Sequence, residues 1–261
     1  MSNDNKPTAV CVVANFKYLY KNFPRIYTQL RNIGKYNGEI LVITNILCPT
    51  FLVKSLKRRN KVTVFRFKKN MFDSKTEKSL SNLSIGSNRH VNKNFQWYKL
   101  YLFNKKIKKW KYIFYLDINM HIHFDIRPIL DVKPKNKIYA RADGYPTYNW
   151  KLSSQFDKNH PLFKNLNESF DLEITNYFQT GVMYFDTSII GDNTYVDLVS
   201  LVNKYPFSQT NEQGILNLYF IFLKNNYEEL VGEVENKITY FYWLIDNKDV
   251  IISKALTTRN K

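Results

Sequence analysis

The sequence has little of what marks a secreted or membrane protein. Only two cysteines occur in 261 residues, Cys11 inside an apolar run and Cys48 before a proline. This count excludes a disulfide framework and favours a reducing compartment, with both thiols buried for structural reasons. No apolar run approaches the roughly 18 residues that a membrane-spanning helix needs, so no span is expected. The first residues lack the basic and then apolar pattern of a signal peptide, which favours a cytoplasmic location.

Glycine and proline are also scarce, at eight residues each. No stretch rich in Gly, Pro or Ser marks a linker, and no internal repeat is visible. We therefore expect one domain over residues 1–261. The apolar content of 44% is sufficient for one packed core.

Acidic residues are too few to balance the basic ones, 22 against 39, which gives a formal charge of +17. A basic excess is compatible with nucleic-acid binding, and this alternative stays open. Against it, most of the basic residues are Lys and no familiar nucleic-acid motif occurs. An AT-rich coding bias also raises Lys and Asn, and it fits a microbial or large-virus source, with action in the host cytoplasm or the virion. The same positive field would attract an anionic ligand such as a nucleotide diphosphate.

In the first third of the chain, short apolar runs alternate with segments in which apolar residues recur at helical spacing. Residues 8–14, 39–44 and 62–67 are predicted strands, with a loop over 15–20 and helices over 24–33 and 49–57. Strands that alternate with helices build a parallel sheet with right-handed crossovers. The fold class is therefore predicted to be α/β.

The rest of the chain is less regular. Residues 68–93 are polar and predict either a solvated surface loop or a lid over a site. Residues 147–175 predict an irregular insertion with no clear period. Further helices are predicted over 94–109, 195–205 and 212–224, and further strands over 112–119, 137–142, 177–185, 237–245 and 250–253.

The predicted strand 112–119 ends in two polar residues, Asp117 and Asn119. Open α/β sheets place ligands at the carboxyl ends of their strands. In extended chain, residues i and i+2 point the same way, as a divalent cation or a ribose requires. His121 and His123 continue this spacing, so His121 could join Asp117 in a metal site. The alternative is that the chain turns after Asn119 and the histidines pack elsewhere.

Four segments, in order, resemble the GT-A glycosyltransferases of family 8, the group of glycogenin and bacterial galactosyltransferases. They are Lys99-Leu100 followed by Tyr115-Leu116-Asp117-Ile118-Asn119, then Asp143-Gly144-Tyr145-Pro146, then Phe178-Gln179-Thr180-Gly181-Val182, and finally Asn211-Glu212-Gln213-Gly214-Ile215-Leu216-Asn217. The resemblance implies a GT-A, Rossmann-like fold in a single domain, with a mixed, mostly parallel sheet flanked by helices. Residues 8–120 would form its nucleotide-binding half and residues 121–261 its sugar and acceptor half.

The resemblance also implies an activity and a set of site residues. The protein would move a hexose from a UDP-sugar to a hydroxyl of a glycan or protein, with retention of configuration. By this resemblance, Ala14, Asn15 and Tyr18 would form the nucleotide pocket. Asp117 would bind the ribose and Mn²⁺, Asn119 would bind the metal, and Lys99 would contact a phosphate or the sugar. The sugar contacts would be Asp143, Gln179, Thr180 and Gly181, and the groups that position the reacting carbon would be Glu212 and Gln213.

Two departures from the family pattern affect the metal. Asn119 replaces the second aspartate, and an amide oxygen supplies no charge to a hard cation. The late histidine that completes the metal site is missing, although Lys254 or Arg259 could bind phosphate instead. Both departures leave a second hypothesis open, a sugar-nucleotide-binding protein without turnover. The aromatic-rich C-terminal third is a candidate homodimer surface.

Overall fold

A seven-stranded sheet forms the centre of the computed structural model, which describes residues 7–69, 72–83, 95–145, 147–234, 238–242 and 250–254. The strands are β1 (Thr8–Val13), β2 (Glu39–Asn45), β3 (Val62–Phe67), β4 (Tyr112–Leu116), β5 (Met120–Ile122), β6 (Ile138–Ala142), β7 (Phe178–Asp186), β8 (Tyr227–Glu229), β9 (Glu233–Val234), β10 (Ile238–Tyr242) and β11 (Val250–Lys254). The order in the large sheet is β3-β2-β1-β4-β7-β6-β8. All neighbours pair in parallel except β7, which is antiparallel to β4 and β6. This arrangement confirms the α/β fold with a mixed, mostly parallel sheet.

Helices cover this sheet. The α-helices are α1 (Phe16–Thr28), α2 (Thr50–Lys57), α3 (Ser74–Leu83), α4 (Arg127–Leu130), α5 (Phe163–Phe170), α6 (Thr194–Lys204) and α7 (Glu212–Asn217). Short π-helical segments, Gln29–Ile33 and Leu218–Leu223, continue α1 and α7, and 3-10 helices lie at Gln96–Phe103, Lys105–Lys109, Leu152–Gln155 and Thr187–Ile189. Within the described ranges, no helix has the length and apolar character needed to cross a bilayer.

The large sheet is buried on both faces. Successive residues of a strand point to opposite faces, so Ala9 and Cys11 join one apolar cluster while Val10 and Val12 join the other. The first cluster also contains the apolar residues of Gln96–Phe103 and α7, and the second contains those of α1 and α2. Both cysteines are buried, as the sequence predicts.

A second sheet, in the order β5-β11-β10-β9, lies beside the turn that follows β4. Its strand β11 pairs antiparallel with β5, so that Lys254 lies opposite Met120 and Ser253 opposite His121. The late strands predicted over 237–245 and 250–253 contribute β10 and β11, while residue 237 and residues 243–245 lie outside the described ranges.

The prediction of a loop over residues 15–20 is wrong, because α1 begins at Phe16. Asn15 caps this helix, since its side chain accepts a hydrogen bond from the Tyr18 backbone N–H at 3.0 Å. Leu19, Phe23 and Ile26 form its buried face. Pro24, the first residue of the predicted helix, lies inside α1.

Three other segments differ from prediction. Part of the polar stretch 68–93 forms α3, while residues 70, 71 and 84–94 lie outside the described ranges. The helix predicted over 94–109 is instead two 3-10 helices, because Asn104 is extended and its side chain caps the second one at the Lys106 N–H. The insertion over 147–175 contains the short helix Leu152–Gln155 and α5.

Candidate functional site

The predicted site residues converge at one edge of the large sheet. β1 and β4 are parallel with Cys11 opposite Tyr115, so their carboxyl ends coincide. The Asp117 N–H, just beyond β4, donates to the Gly181 carbonyl at 2.8 Å and brings the amino-terminal half of β7 to the same edge. Asp143 follows β6, whose last residue pairs with Phe178. The parallel-strand argument therefore predicted that these side chains meet at one edge of the sheet.

A cavity of about 160 Å³ opens at this edge. Five of the predicted residues line it with Lys99, namely Ala14, Asn15, Tyr18, Asp117 and Asn119. Val13, Phe95, Gln96, Ile118 and Lys254 complete the lining. The cavity combines aromatic and aliphatic walls with charged groups, as sites for small-molecule ligands do. Phe95 and Gln96 are lining residues that sequence reasoning missed, because the predicted helix gave no indication of which face reached a ligand.

Lys99 is the ionic centre of the site. Its ammonium lies 2.8 Å from Glu212 Oε1 and 3.1 Å from Asp117 Oδ1. It also donates to the Thr180 carbonyl oxygen at 3.2 Å. Lys99 is only 5% exposed and Glu212 only 1%. Buried ions require a partner, and this arrangement gives each of them one.

The two carboxylates govern the protonation of Lys99. Burial disfavours its charged form, but Asp117 and Glu212 outweigh this effect and raise the pKa of Lys99 to about 12. The hydroxyl of Tyr115 donates to Asp117 Oδ1, and burial, followed by the charge of Asp117, raises the pKa of Tyr115 well above its usual value. Lys99 is therefore a permanent cation whose charge is exceeded by two adjacent carboxylates.

A hydrogen-bonded chain extends from Glu212 away from the cavity. Thr180 Oγ1 donates to Glu212 Oε1 at 2.9 Å, and the Thr180 N–H donates to Gln213 Oε1 at 3.1 Å. Gln213 Nε2 in turn donates to Gln155 Oε1 at 2.8 Å, and Thr210 donates to the same oxygen at 2.6 Å. The structure thus joins Thr180, Glu212 and Gln213, all predicted, to Gln155. Sequence reasoning missed Gln155, since it lies in the segment without periodicity.

Asn217 fixes the position of α7 against β7. Its side chain accepts from the Phe178 N–H at 2.8 Å and donates to the Phe178 carbonyl at 2.9 Å. It also donates to the Gln213 carbonyl at 2.8 Å. At the start of β7, this buried amide makes the hydrogen bonds that the backbone of a neighbouring strand would otherwise make. It also sets the distance between Gln213 and Thr180.

Asp143 and Gln179 form a separate pair. Gln179 Nε2 donates to Asp143 Oδ1 at 2.6 Å, and the Tyr177 hydroxyl donates to Asp143 Oδ2 at 2.7 Å. Both carboxylate oxygens are therefore satisfied. Within the described ranges the buried Oε1 of Gln179 has no hydrogen-bond partner. Such an orphaned acceptor is rare enough in native structures to require an explanation.

The extended run from Asp117 to His123 is interrupted. The Met120 N–H donates to the Asp117 carbonyl at 2.9 Å, which closes a turn through Ile118 and Asn119. His121 then lies on β5, where it is paired with Ser253 rather than continuing the β4 strand. The hypothesis of four side chains on one extended face is wrong, because the backbone reverses between Asp117 and Met120.

The donor set around this turn fits a divalent cation poorly. Within the described ranges no group of three or more His, Cys, Asp or Glu side chains is placed to hold a metal ion. Among the residues that the structure describes, Asp117 is the only carboxylate that lines the cavity. Lys99 already balances the charge of Asp117. Asn119 Oδ1 accepts a hydrogen bond from Asn22 at 2.7 Å. A hard cation prefers several anionic oxygens, which these residues do not supply.

No family model matches the sequence, and a comparison with curated proteins finds no match. Solved structures of glycosyltransferases share the GT-A-like fold. Galactosyltransferase LgtC, in complex with donor and acceptor sugar analogs, has a TM-score of 0.57 at 12% identity over 95% of this chain and 86% of its own. The bifunctional glycosyltransferase WbbM gives 0.56 at 16% identity over 93% of this chain.

The core-mannan synthase A of Aspergillus fumigatus, in its Mn/GDP form, gives a TM-score of 0.54 at 11% identity over 88% of this chain and 73% of its own. The present chain spans 41% of the length of WbbM. Identities this low establish a common fold and leave the reaction to be argued from the site.

Proposed function

We propose that the protein is a glycosyltransferase that moves a sugar from a UDP-sugar donor, as the resemblance to family 8 implies, to a hydroxyl of a glycan or protein with retention of configuration. The observation that carries the proposal is the Lys99 ion cluster beneath the cavity. It joins Asp117 after β4 to Glu212 at the start of α7, through Thr180 on β7. Three predicted motifs from distant parts of the chain thus meet at one point.

The cavity divides into regions with different chemistry. Ala14, just after β1, and Tyr18 on α1 would border the base. Asp117 would accept hydrogen bonds from the ribose. The sugar would lie toward Gln179 and Asp143, where the orphaned Oε1 of Gln179 is an acceptor for a sugar hydroxyl. Hydroxyl recognition by buried polar groups discriminates strongly between sugars.

In the transfer, the bond between the anomeric carbon and the phosphate oxygen breaks, and its electron pair leaves with the nucleoside diphosphate. The acceptor oxygen forms a bond to that carbon on the same face, and its proton passes to the leaving phosphate oxygen. Glu212 Oε1 is already engaged by Lys99 and Thr180, so Glu212 acts as a positioning residue. Gln213 has the same role, because its amide oxygen is held at Thr180.

A thermal-shift panel tests the donor site. UDP-glucose, UDP-galactose and GDP-mannose would each be added at rising concentration, and a ligand that binds the native state raises Tm in proportion to the logarithm of its concentration over Kd. We expect stabilisation by at least one of them, and its loss in Asp117→Asn. Asp192→Asn, an exposed aspartate on the loop before α6, is the matched control. Failure of every nucleotide sugar to stabilise the protein would overturn the proposal.

Asn119 favours a second candidate, a protein that binds sugar nucleotides without turning them over. An amide in place of a carboxylate would hold a divalent cation more weakly, and such a cation is what neutralises the charge that develops on the leaving diphosphate. Release of free nucleoside diphosphate separates the two. Binding without release, with and without Mn²⁺ and an acceptor glycan, would support the second candidate, and release would support transfer.

A further inference from the structure

Five large apolar side chains are exposed in the first two turns of α1 and in the segment that joins β2 to α2. They are Phe16, Tyr20, Ile46, Leu47 and Phe51, and we call them the apolar rim. Three of them are mostly open to solvent, since Leu47 is 81%, Tyr20 71% and Phe51 70% exposed. Scattered single apolar residues are ordinary on a protein surface, whereas a group of neighbours marks a binding surface.

The fold brings the members of the apolar rim to one edge of the large sheet. β1 and β2 are parallel and in register, so Phe16 after β1 and Ile46 after β2 leave the sheet at the same edge. α1 and α2 pack on the same face of the sheet. Just beyond α2, the guanidinium of Arg59 lies 4.9 Å from the centre of the Tyr27 ring on α1, so the two helices are neighbours. Their amino-terminal ends therefore present the apolar rim as one surface.

Lysines surround the apolar rim. Lys17 and Lys21 are next to the rim residues of α1, and Lys54 lies one turn after Phe51 on α2. All three are exposed. Within the described ranges, none of the three forms an ion pair with a carboxylate. The rim thus combines protruding apolar side chains with cations whose charge is not balanced by an adjacent acid.

The charge of this part of the chain has one sign. Residues 7–69 contain thirteen basic residues and a single acidic one, Glu39. Glu39 is the first residue of β2, so it lies at the edge of the sheet opposite the apolar rim. Its carboxylate accepts a hydrogen bond from Trp110 Nε1 at 2.7 Å. A partner that is complementary to the rim is therefore anionic as well as apolar.

We infer that the apolar rim inserts into the surface of an anionic lipid bilayer, with the surrounding lysines in contact with the lipid phosphates. Aromatic and aliphatic side chains bordered by lysines are the combination that binds the interface of such a membrane. This inference goes beyond the proposed function and does not depend on it. Asn15 and Tyr18, on either side of Phe16, line the cavity. A bilayer bound at the rim would therefore lie beside the candidate site.

Two observations favour lipid over other partners. Ile46 and Leu47 are aliphatic, whereas single-stranded nucleic acid is held by stacking of its bases on aromatic side chains. A second copy of this chain, docked through the same surface, would bring the lysines of both copies together, and like charges oppose that contact. A bilayer with anionic headgroups accommodates both the apolar side chains and the lysines.

Co-sedimentation with vesicles tests the inference on the full chain. One set of vesicles is phosphatidylcholine alone, and the other is phosphatidylcholine and phosphatidylglycerol in equal parts. We expect binding to the anionic vesicles that weakens as salt is added, and little binding to phosphatidylcholine alone. Leu47→Ser combined with Phe51→Ser is expected to weaken the binding by about tenfold or more, because two large apolar side chains no longer leave water.

Two further double variants separate charge from apolar insertion. Lys17→Gln with Lys21→Gln is expected to weaken binding to the anionic vesicles by about tenfold or more at low salt, and by less at high salt. Val196→Ser on α6 with Leu223→Ser at the end of the segment that continues α7 changes two exposed apolar residues away from the rim. This control is expected to bind like wild type. Because all these positions are exposed, thermal unfolding should show that every variant is folded.

Three results would overturn the inference. The first is absence of binding to the anionic vesicles, or equal binding by wild type and by the Leu47→Ser, Phe51→Ser variant. The second is preference for a single-stranded oligonucleotide over the anionic vesicles at the same salt, which would assign the surface to nucleic acid. The third is a dimer in sedimentation equilibrium that the Leu47→Ser, Phe51→Ser variant dissociates, which would assign it to a second copy.

These outcomes are distinguishable from failure of the proposed function. The Leu47→Ser, Phe51→Ser variant leaves the residues that line the cavity unchanged. Any stabilisation by a nucleotide sugar that wild type shows should therefore persist in the variant, whether or not the protein binds vesicles.

Discussion

Lys99 lies closer to Glu212 than to Asp117, at 2.8 Å against 3.1 Å, and it is buried with Glu212. Asp117 is the more exposed of the two carboxylates and is the one that lines the cavity. The Lys99–Glu212 pair therefore belongs to the interior, and Asp117 connects that interior to the cavity. This relationship makes stability and binding separable by mutation.

Replacement of Lys99 by methionine is expected to destabilise the protein by about 3–5 kcal/mol, because Glu212 would be left as a buried charge without its partner. Adding Glu212→Gln removes that charge, so the double variant is expected to be more stable than Lys99→Met alone. Urea denaturation of the four members of the cycle gives the coupling energy. Additive effects of the two substitutions would contradict an ion pair at this position.

The raised pKa of Lys99 predicts an alkaline loss of stability. Its pKa is about 12 in the folded state against 10.5 for a free lysine. A raised pKa contributes stability that is complete below pH 10.5 and is lost as the pH rises through 12. The difference in unfolding free energy between wild type and Lys99→Met should therefore narrow by about 1–2 kcal/mol over this range. A constant difference up to pH 12 would contradict the assignment.

The contacts of Gln155 predict that it positions Gln213 for turnover. Leucine at this position removes the acceptor for Gln213 Nε2 and Thr210 Oγ1, so Gln213 would lose its fixed orientation toward Thr180. We expect kcat for donor hydrolysis to fall by about tenfold or more while nucleotide affinity changes little. Gln209→Leu, the same substitution at an exposed glutamine, is the control. A rise in KM with unchanged kcat would instead assign Gln155 to donor binding.

Asp143→Asn tests the hydrogen bonds that Asp143 accepts from Gln179 and Tyr177. An amide has one acceptor oxygen where the carboxylate has two, so Gln179 and Tyr177 can no longer both donate to residue 143 as they do to Asp143. The rearrangement of these charge-assisted hydrogen bonds is expected to cost about 1–2 kcal/mol of stability. Asp157→Asn, in which an exposed carboxylate accepts from a backbone N–H, should change stability by less than about 0.5 kcal/mol. Equal effects of the two substitutions would remove Asp143 from the buried pair.

The sequence predicts the sheet well because its strands are short continuous apolar runs. Strand β4 is buried on both faces from Ile113 onward, as expected of a strand in the middle of a sheet that is covered by helices on both sides. The edge at which Asp117, Asp143 and Thr180 meet follows from the same rule. By contrast, α3 is polar on most positions, with only Thr76 buried, so hydrophobic periodicity did not identify it.

The chemistry of the site was less predictable than its location. The sequence places Lys99, Asp117 and Glu212 in separate motifs, and nothing in their spacing indicates that one lysine binds both carboxylates. The turn at Asn119 depends on a backbone hydrogen bond between Met120 and Asp117, which no side-chain pattern reports. This local turn and the long-range ion pairs of Lys99 together determine which side chains line the cavity.

Proton NMR of a donor panel tests the central claim most directly. UDP-glucose, UDP-galactose and GDP-mannose are α-linked, and their anomeric protons distinguish the donor from the α- and β-configured free sugars. During turnover with water or an acceptor glycan, we expect one donor signal to decline while the signal of the α-configured product appears first. Initial appearance of the β product would contradict retention. Persistence of every donor signal, with acceptors present and with and without Mn²⁺, would contradict transfer at the Lys99 site.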